Sequence, residues 1–279
     1  MTIKLLAFDL DGTLVHDESG IRQADRDAID EARRAGLDVI IVTGRSWRGA
    51  RKVYDDLALT GPCICYLGAL TVAGGSGRIV SHRPLAPGAW ELLRDFALKE
   101  GLPVTACVGT DQAVVDGDLP LGDLVAADSA FSTCQADDFT NWALWNPYTT
   151  MAPDLAPCTA PPMMLAVYGD RAVRRTLAAF PNGLPDSQFD LYDKVAGETV
   201  LHIWHESVSK GHALAEYCRN RGIRPEEVAA FGDMPMDLSM VEFAGIGVAV
   251  PTAHPALQAA ADWVAEPHAA IRRILEGAL

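Results

Sequence analysis

The chain has 279 residues, the length of about two domains or of one large domain carrying an insertion. Its 49% hydrophobic and 22% charged residues are those of a globular protein and exclude collagen-like, coiled-coil and disordered chains. With 23 Lys and Arg against 37 Asp and Glu, the net charge of −14 disfavours nucleic acid and membrane as partners, since both are bound through clustered cations.

Residues 3–8 form a short apolar run ending in carboxylates, the pattern of a buried parallel strand whose C-terminal end opens onto a site. A helix is predicted over 24–35, with Ala24, Ala28, Ile29 and Ala32 on its apolar side and Gly36 placed to cap it. A strand over 37–42 leads into Thr43-Gly44-Arg45. A second helix follows, in which Trp47, Ala50, Val53, Tyr54 and Leu57 recur at helical spacing, and 63–67 is a third strand.

From 83 to 204 the order is less regular. Short strands are predicted over 104–108, 113–115, 163–168 and 199–204 with two or three helices between them, around a stretch holding Pro147, Pro153, Pro157, Pro161 and Pro162. The alternation then resumes: a helix over 209–221 with Gly222 beyond it, a strand over 228–231, a helix over 237–243, strands over 246–250 and 263–265, and a helix over 269–276. Strand and helix alternating in this way predict an α/β fold, a Rossmann-like parallel sheet covered on both faces. The core is expected over 1–82 and 205–279, and 83–204 as an inserted α+β domain.

Two stretches, 57–77 and 243–261, carry no Asp, Glu, Lys or Arg for about the length of a membrane span. Their internal Gly and Pro residues make buried strands with turns the better expectation. The N-terminus has no long apolar region or small-residue cleavage site, so a cytoplasmic protein is expected. The six cysteines show no C-x-x-C spacing and are expected to be free, mostly buried thiols. Cys63 and Cys65, alternating on one strand, are expected to point to opposite faces and to hold no metal jointly.

The chemistry is concentrated at Asp9-Leu10-Asp11-Gly12-Thr13-Leu14. Two carboxylates at one strand end repel each other unless a cation sits between them, which implies a divalent metal. With it, one Asp can act as a nucleophile while the other handles a proton. An EF-hand loop fails on spacing, because Gly12 comes three places after Asp9 and the twelfth place is Gly20 rather than Glu. An Asp-rich turn without chemistry is the remaining alternative for this segment alone.

The segment from Asp9 to Thr13 resembles the first motif of the haloacid dehalogenase superfamily of phosphotransferases. Val42-Thr43-Gly44-Arg45 is similar to the second motif, Ser209-Lys210-Gly211 to the third, and Gly232-Asp233-Met234-Pro235-Met236-Asp237 to the fourth. The insertion between the second and third is the arrangement of the Cof-type (subclass IIB) branch, with an α/β cap inserted in the core.

By this resemblance Asp9 is the nucleophile that takes the phosphoryl group, and Asp11 the acid that protonates the leaving oxygen and then activates water. Thr43, Gly44 and Arg45 would hold the substrate phosphate, and Lys210 would neutralise its charge and that of Asp9. The metal, expected to be Mg²⁺, would lie at Asp9, the Asp11 carbonyl and Asp233, with Asp237 supporting it. The chain departs from the branch at Met236 and Leu67, where relatives usually carry Asn.

The implied activity is a Mg²⁺-dependent phosphatase for small phosphate monoesters, sugar phosphates first, acting through an aspartyl-phosphate. A sugar phosphomutase and a non-catalytic phosphometabolite sensor are the alternatives. The partner expected is a small-molecule phosphate ester. Trp142, Trp145, Tyr148, His202, Trp204 and His205 are expected to serve packing first.

Overall fold

The structure, a computed structural model, describes residues 2–16, 20–100, 102, 104–107, 129–131, 161–193 and 199–277. The chain folds as two units, Met1–Val80 with Val208–Leu279, and Ser81–Ser207.

The first strand, β1 (Leu5–Phe8), is apolar at every position because both of its faces are buried. Helix α1 (Gln23–Arg34) buries Ala28, Ile29 and Ala32. It ends in a Schellman turn, in which Gly36 N–H donates to the Arg33 carbonyl at 3.0 Å and Leu37 N–H to the Ala32 carbonyl at 3.0 Å. β2 (Asp38–Val42) and α2 (Trp47–Asp56) follow, the helix capped by Ser46, whose hydroxyl accepts from Gly49 N–H at 3.1 Å. β3 (Cys63–Cys65) stops two residues earlier than its apolar run predicts, because Tyr66 and Leu67 take positive φ. The Gly-rich stretch then folds back as β4 (Leu70–Val72) and continues to β5 (Ile79–His82).

In the second unit, α3 (Ala89–Glu100), β6 (Val104–Cys107), β7 (Ser129–Phe131), β8 (Met164–Tyr168), α4 (Asp170–Ala179), β9 (Ser187–Asp193) and β10 (Thr199–His205) form an antiparallel sheet with helices. Its strand order is β7-β6-β8-β10-β9. Trp90, Leu93, Leu165, Val167, Leu201 and Ile203 fill the core between sheet and helices. β9 escapes a sequence reading because Gln188 and Asp190 interrupt its apolar residues, as suits a strand at the sheet edge. The predicted strand over 113–115, Trp142, Trp145, Tyr148, and Pro147, Pro153 and Pro157 lie outside the described residues.

The first unit resumes with α5 (Lys210–Arg221), capped by Ser209 and closed by Gly222 in the left-handed region. β11 (Val228–Gly232), α6 (Leu238–Phe243), β12 (Ile246–Ala249), α7 (Pro255–Ala260), β13 (Trp263–Val264) and α8 (Pro267–Leu275) complete it. Helix α7 has only six residues, too few for a periodic signal. The sheet order is β13-β12-β11-β1-β2-β3-β4-β5, parallel from β13 to β3 and antiparallel at β3–β4. β1 is central: the chain leaves it toward β2 on one side and returns at β11 on the other. Open parallel sheets bind ligands at the carboxyl ends of strands around such a switch. Leu5, Ala7, Val228 and Ala230 pack under Leu214, Cys218 and Met240, while Phe8 and Phe231 stack 4.3 Å apart.

Cys63 and Cys65 correct the expectation made for them. Residues two apart on a strand share a face, and the two buried thiols lie 3.5 Å apart. Burial pushes the Cys65 thiol well above its ordinary range, which suits an unreactive core thiol. Cys218 is also free and buried, as expected. Among the described residues, no helix is long and apolar enough to cross a membrane.

Glu227, at the foot of β11, accepts the Arg224 backbone N–H at 2.9 Å and pairs with Lys4 at 2.8 Å. These partners, the Arg224 N–H foremost, pull its carboxyl from 4.5 down to about 2. A depressed carboxylate stabilises the fold above its unfolded pKa and loses that contribution as the pH falls through its folded one. Glu227→Gln should therefore lower the melting temperature at neutral pH, and the gap should close between pH 4.5 and about 2. Melts of both proteins across that window check it; a gap independent of pH would remove the ionic account.

Candidate active site

The carboxyl ends of β1, β2 and β11 bring Asp9, Thr43 and Asp233 to one edge of the sheet, because β2 and β11 both pair in parallel with β1. Asp9 follows β1 directly, and its N–H donates to the Phe231 carbonyl at 3.0 Å. Thr43 is tied to β3 by its N–H, which donates to the Ile64 carbonyl at 2.8 Å. Lys210, the first residue of α5, enters from the side of the sheet covered by that helix.

Lys210 is 2% exposed, with Nζ 2.6 Å from Asp9 Oδ1 and 2.5 Å from Asp237 Oδ1. Both partners are themselves buried. Burial works against the charge on Lys210, but the Asp237 and Asp9 carboxylates outweigh it and hold the ammonium above its ordinary pKa. Asp9 is pushed well above the carboxylate range by burial first; Lys210 opposes this, while Asp237, Asp233 and Asp11 add to it. Burial, then Asp237, raises Asp233 to about 7. Raised acids crowded at the adjoining ends of β1 and β11 are the electrostatic signature of a functional site.

Carboxylate oxygens of Asp9, Asp233 and Asp237 lie within 4.8 Å of one another. Three carboxylates against the one Lys210 ammonium leave two negative charges uncompensated when all are ionised. An all-oxygen cluster with that deficit fits a divalent cation. The members are not equivalent. Asp237 places one oxygen on Lys210 and accepts the Asp233 and Met234 N–H groups on the other, each at 3.0 Å, so it shapes the loop that presents Asp233.

Asp11 stands apart from this cluster. Its side chain is 49% exposed and is gripped by the Arg45 guanidinium, Nε to Oδ2 at 2.8 Å and Nη2 to Oδ1 at 2.5 Å. Arg45, read from sequence as a phosphate ligand, is thus engaged by a carboxylate 34 positions away, and its Nη1 donates to the Gly49 carbonyl at 3.0 Å. Its own N–H donates to Thr43 Oγ1 at 3.1 Å, which ties the 43–45 loop together. Sequence reasoning assigned no role to Thr13, which is fully buried and donates to Asp233 Oδ1 at 3.3 Å. Its place in the quoted first motif was the available signal.

Gly12 shows how tightly the first and fourth motifs meet. It has φ +87°, and a Cβ added there would fall 2.1 Å from Asp233 Oδ2. Gly12→Ala should therefore displace Asp233, lower the melting temperature and weaken divalent-cation binding at least tenfold, roughly 1.4 kcal/mol or more of binding free energy. Calorimetric titration with Mg²⁺ checks this, and a variant binding like the wild type would show that the loop relaxes without consequence.

A family model described as haloacid dehalogenase-like hydrolase matches residues 6–143 and 171–270. The chain is 30% identical over 263 residues to the 5-amino-6-(5-phospho-D-ribitylamino)uracil phosphatase YwtE of Bacillus subtilis, covering 90% of this chain and 88% of that protein. It is 29% identical over 279 residues to the pyridoxal phosphate phosphatase YbhA of Escherichia coli, covering 95% and 93%. The fold matches the crystal structure of a haloacid dehalogenase-like hydrolase from Bacteroides thetaiotaomicron with a TM-score of 0.81 at 21% identity, over 98% of this chain and 100% of that one.

Proposed function

Because the chain belongs to the haloacid dehalogenase-like hydrolases, we propose that it is a Mg²⁺-dependent phosphatase of small phosphate monoesters, sugar phosphates among them. The observation that carries this reading is the buried Asp9–Lys210–Asp237 pairing beside Asp233 at the carboxyl ends of β1 and β11. Phosphatase names among relatives that align over nearly the whole chain support the reaction class. The catalytic core in this reading is 1–82 with 205–279, and 83–204 is an inserted cap domain.

Asp9 Oδ attacks phosphorus, forming the aspartyl-phosphate and breaking the bond to the ester oxygen. Asp11 delivers a proton to that leaving oxygen and takes one from the water that later cleaves the intermediate, which divides one slow hydrolysis into two easier steps. Thr43 and the backbone N–H groups of the 43–45 loop hold phosphoryl oxygens, and Lys210 offsets the charge that collects between them and Asp9. Asp9, Asp233 and the Asp11 carbonyl would hold a divalent cation, which would supply Lewis-acid polarisation of the phosphoryl group. A phosphoryl group brought beside Arg45 competes with Asp11 for the guanidinium.

Phosphate release should be measured from sugar phosphates, nucleoside monophosphates, pyridoxal phosphate and an aryl phosphate, with Mg²⁺ or with chelator. Release that needs Mg²⁺ and Asp9 is the expected result. A folded protein silent on every ester, or one that interconverts hexose phosphates without releasing phosphate, would overturn the reading.

A further inference from the structure

Between β3 and β4 the chain makes a tight turn, Tyr66–Gly68, in which two consecutive residues with bulky side chains sit in the left-handed region. Tyr66 has φ +47° and Leu67 φ +59°. Side chains beyond glycine resist this conformation by about 1–2 kcal/mol each, so the surroundings must hold it in place. Both side chains are buried.

Several restraints lead to the 43–45 loop and to the start of α5. Tyr66 N–H donates to the Arg45 carbonyl and Leu67 N–H to the Thr43 carbonyl, each at 3.0 Å. Leu67 closes the space above Gly44: a Cβ built on that glycine would lie 3.3 Å from Leu67 Cδ2. On the other side, Gly68 at φ +109° approaches so near that a Cβ there would fall 2.5 Å from the Ser209 carbonyl oxygen. The turn therefore touches both the loop that carries Thr43 and the residue that precedes Lys210.

We infer that Leu67 is a positioning residue for the phosphoryl site, wedged against Gly44 by its strained turn so that the 43–45 loop keeps a fixed place relative to Lys210. This rests on the proposed function only in taking the 43–45 loop as the holder of phosphoryl oxygens. Leu67 acts through Gly44 and Thr43 and touches no reacting atom. Its backbone conformation would suit Gly or Asn better, so the strain of a Leu here is offset by what the isobutyl group presses on.

The test compares orthophosphate affinity, by calorimetry in Mg²⁺, and the separate kcat and KM values for the best ester. The proteins are the wild type, Leu67→Ala, Leu67→Met and Ile29→Ala, all assayed well below their melting temperatures. Ile29 is buried in α1 and serves as a destabilised control outside the site. Leu67→Ala should weaken orthophosphate binding and lower kcat/KM by tenfold or more, about the effect of a misplacement of a few tenths of an ångström to 1 Å. Leu67→Met should restore both to within about twofold, because it keeps the volume of the wedge. Ile29→Ala should lose stability alone. Phosphate binding and turnover in Leu67→Ala equal to those of Ile29→Ala would overturn the inference. A wild type that binds orthophosphate through Leu67 but turns over no ester would sink the proposed reaction and keep the inference. Wild-type turnover indifferent to Leu67 would do the reverse, and a wild type that binds no phosphate would remove both.

Discussion

Asp9→Asn is expected to lower phosphate release by about 10⁴-fold or more while leaving the protein folded. An amide cannot form the aspartyl-phosphate, and Asp11, turned toward Arg45 and half exposed, is not placed to substitute for it. Stability should move the other way. Asp9 is held well above its ordinary pKa by burial and by the crowding of Asp237, Asp233 and Asp11, against the pull of Lys210. A neutral amide relieves that crowding, and Lys210 keeps its bond to Asp237. In chelator, the melting temperature of Asp9→Asn should thus equal or exceed that of the wild type. Added Mg²⁺ should then raise the wild type more than the variant, because a ligand stabilises the state that binds it in proportion to its affinity. Turnover within about tenfold of the wild type would place the nucleophile elsewhere.

What could be read in the sequence of this site is what is local in the chain. Asp9 and Asp11 stand next to an apolar run, Thr43 at a strand end and Lys210 behind a capping Ser209, so each signal lies within a few residues. The parallel sheet that holds β1, β2 and β11 also follows from the alternation of strand and helix, though not the order in which they pair. Which side chains then meet is a matter of long-range geometry. The Arg45–Asp11 fork spans 34 positions and the Lys210–Asp9 pair 201, and nothing in either local pattern names its partner. Tyr66 and Leu67 carry no sign of a left-handed turn, since that signal is normally Gly or Asn. The short helix α7 and the strands β4 and β5 escaped for another reason: at three to six residues they offer no period to count.

Lys210→Met should unfold the core more readily than any surface change and abolish turnover as well. The substitution preserves the length of the side chain and removes its charge, so Asp9 and Asp237 are left buried 2.6 and 2.5 Å from where the ammonium was. Removing one partner of a buried ion pair costs about 3–5 kcal/mol, because the remaining charge is neither solvated nor compensated. Two further measurements separate this from a loss of packing. Mg²⁺ should recover part of the lost melting temperature, since the acidic cluster can take its charge in place of the ammonium. Asp237→Asn added to Lys210→Met should destabilise by less than the sum of the single changes, because it removes one of the stranded carboxylates. Strict additivity, with no response to Mg²⁺, would mean that Lys210 matters for the space it fills between β1 and α5. The coupling expected instead makes Lys210 the counter-charge that lets the core close over two aspartates, and in the proposed function the same ammonium offsets the phosphoryl charge.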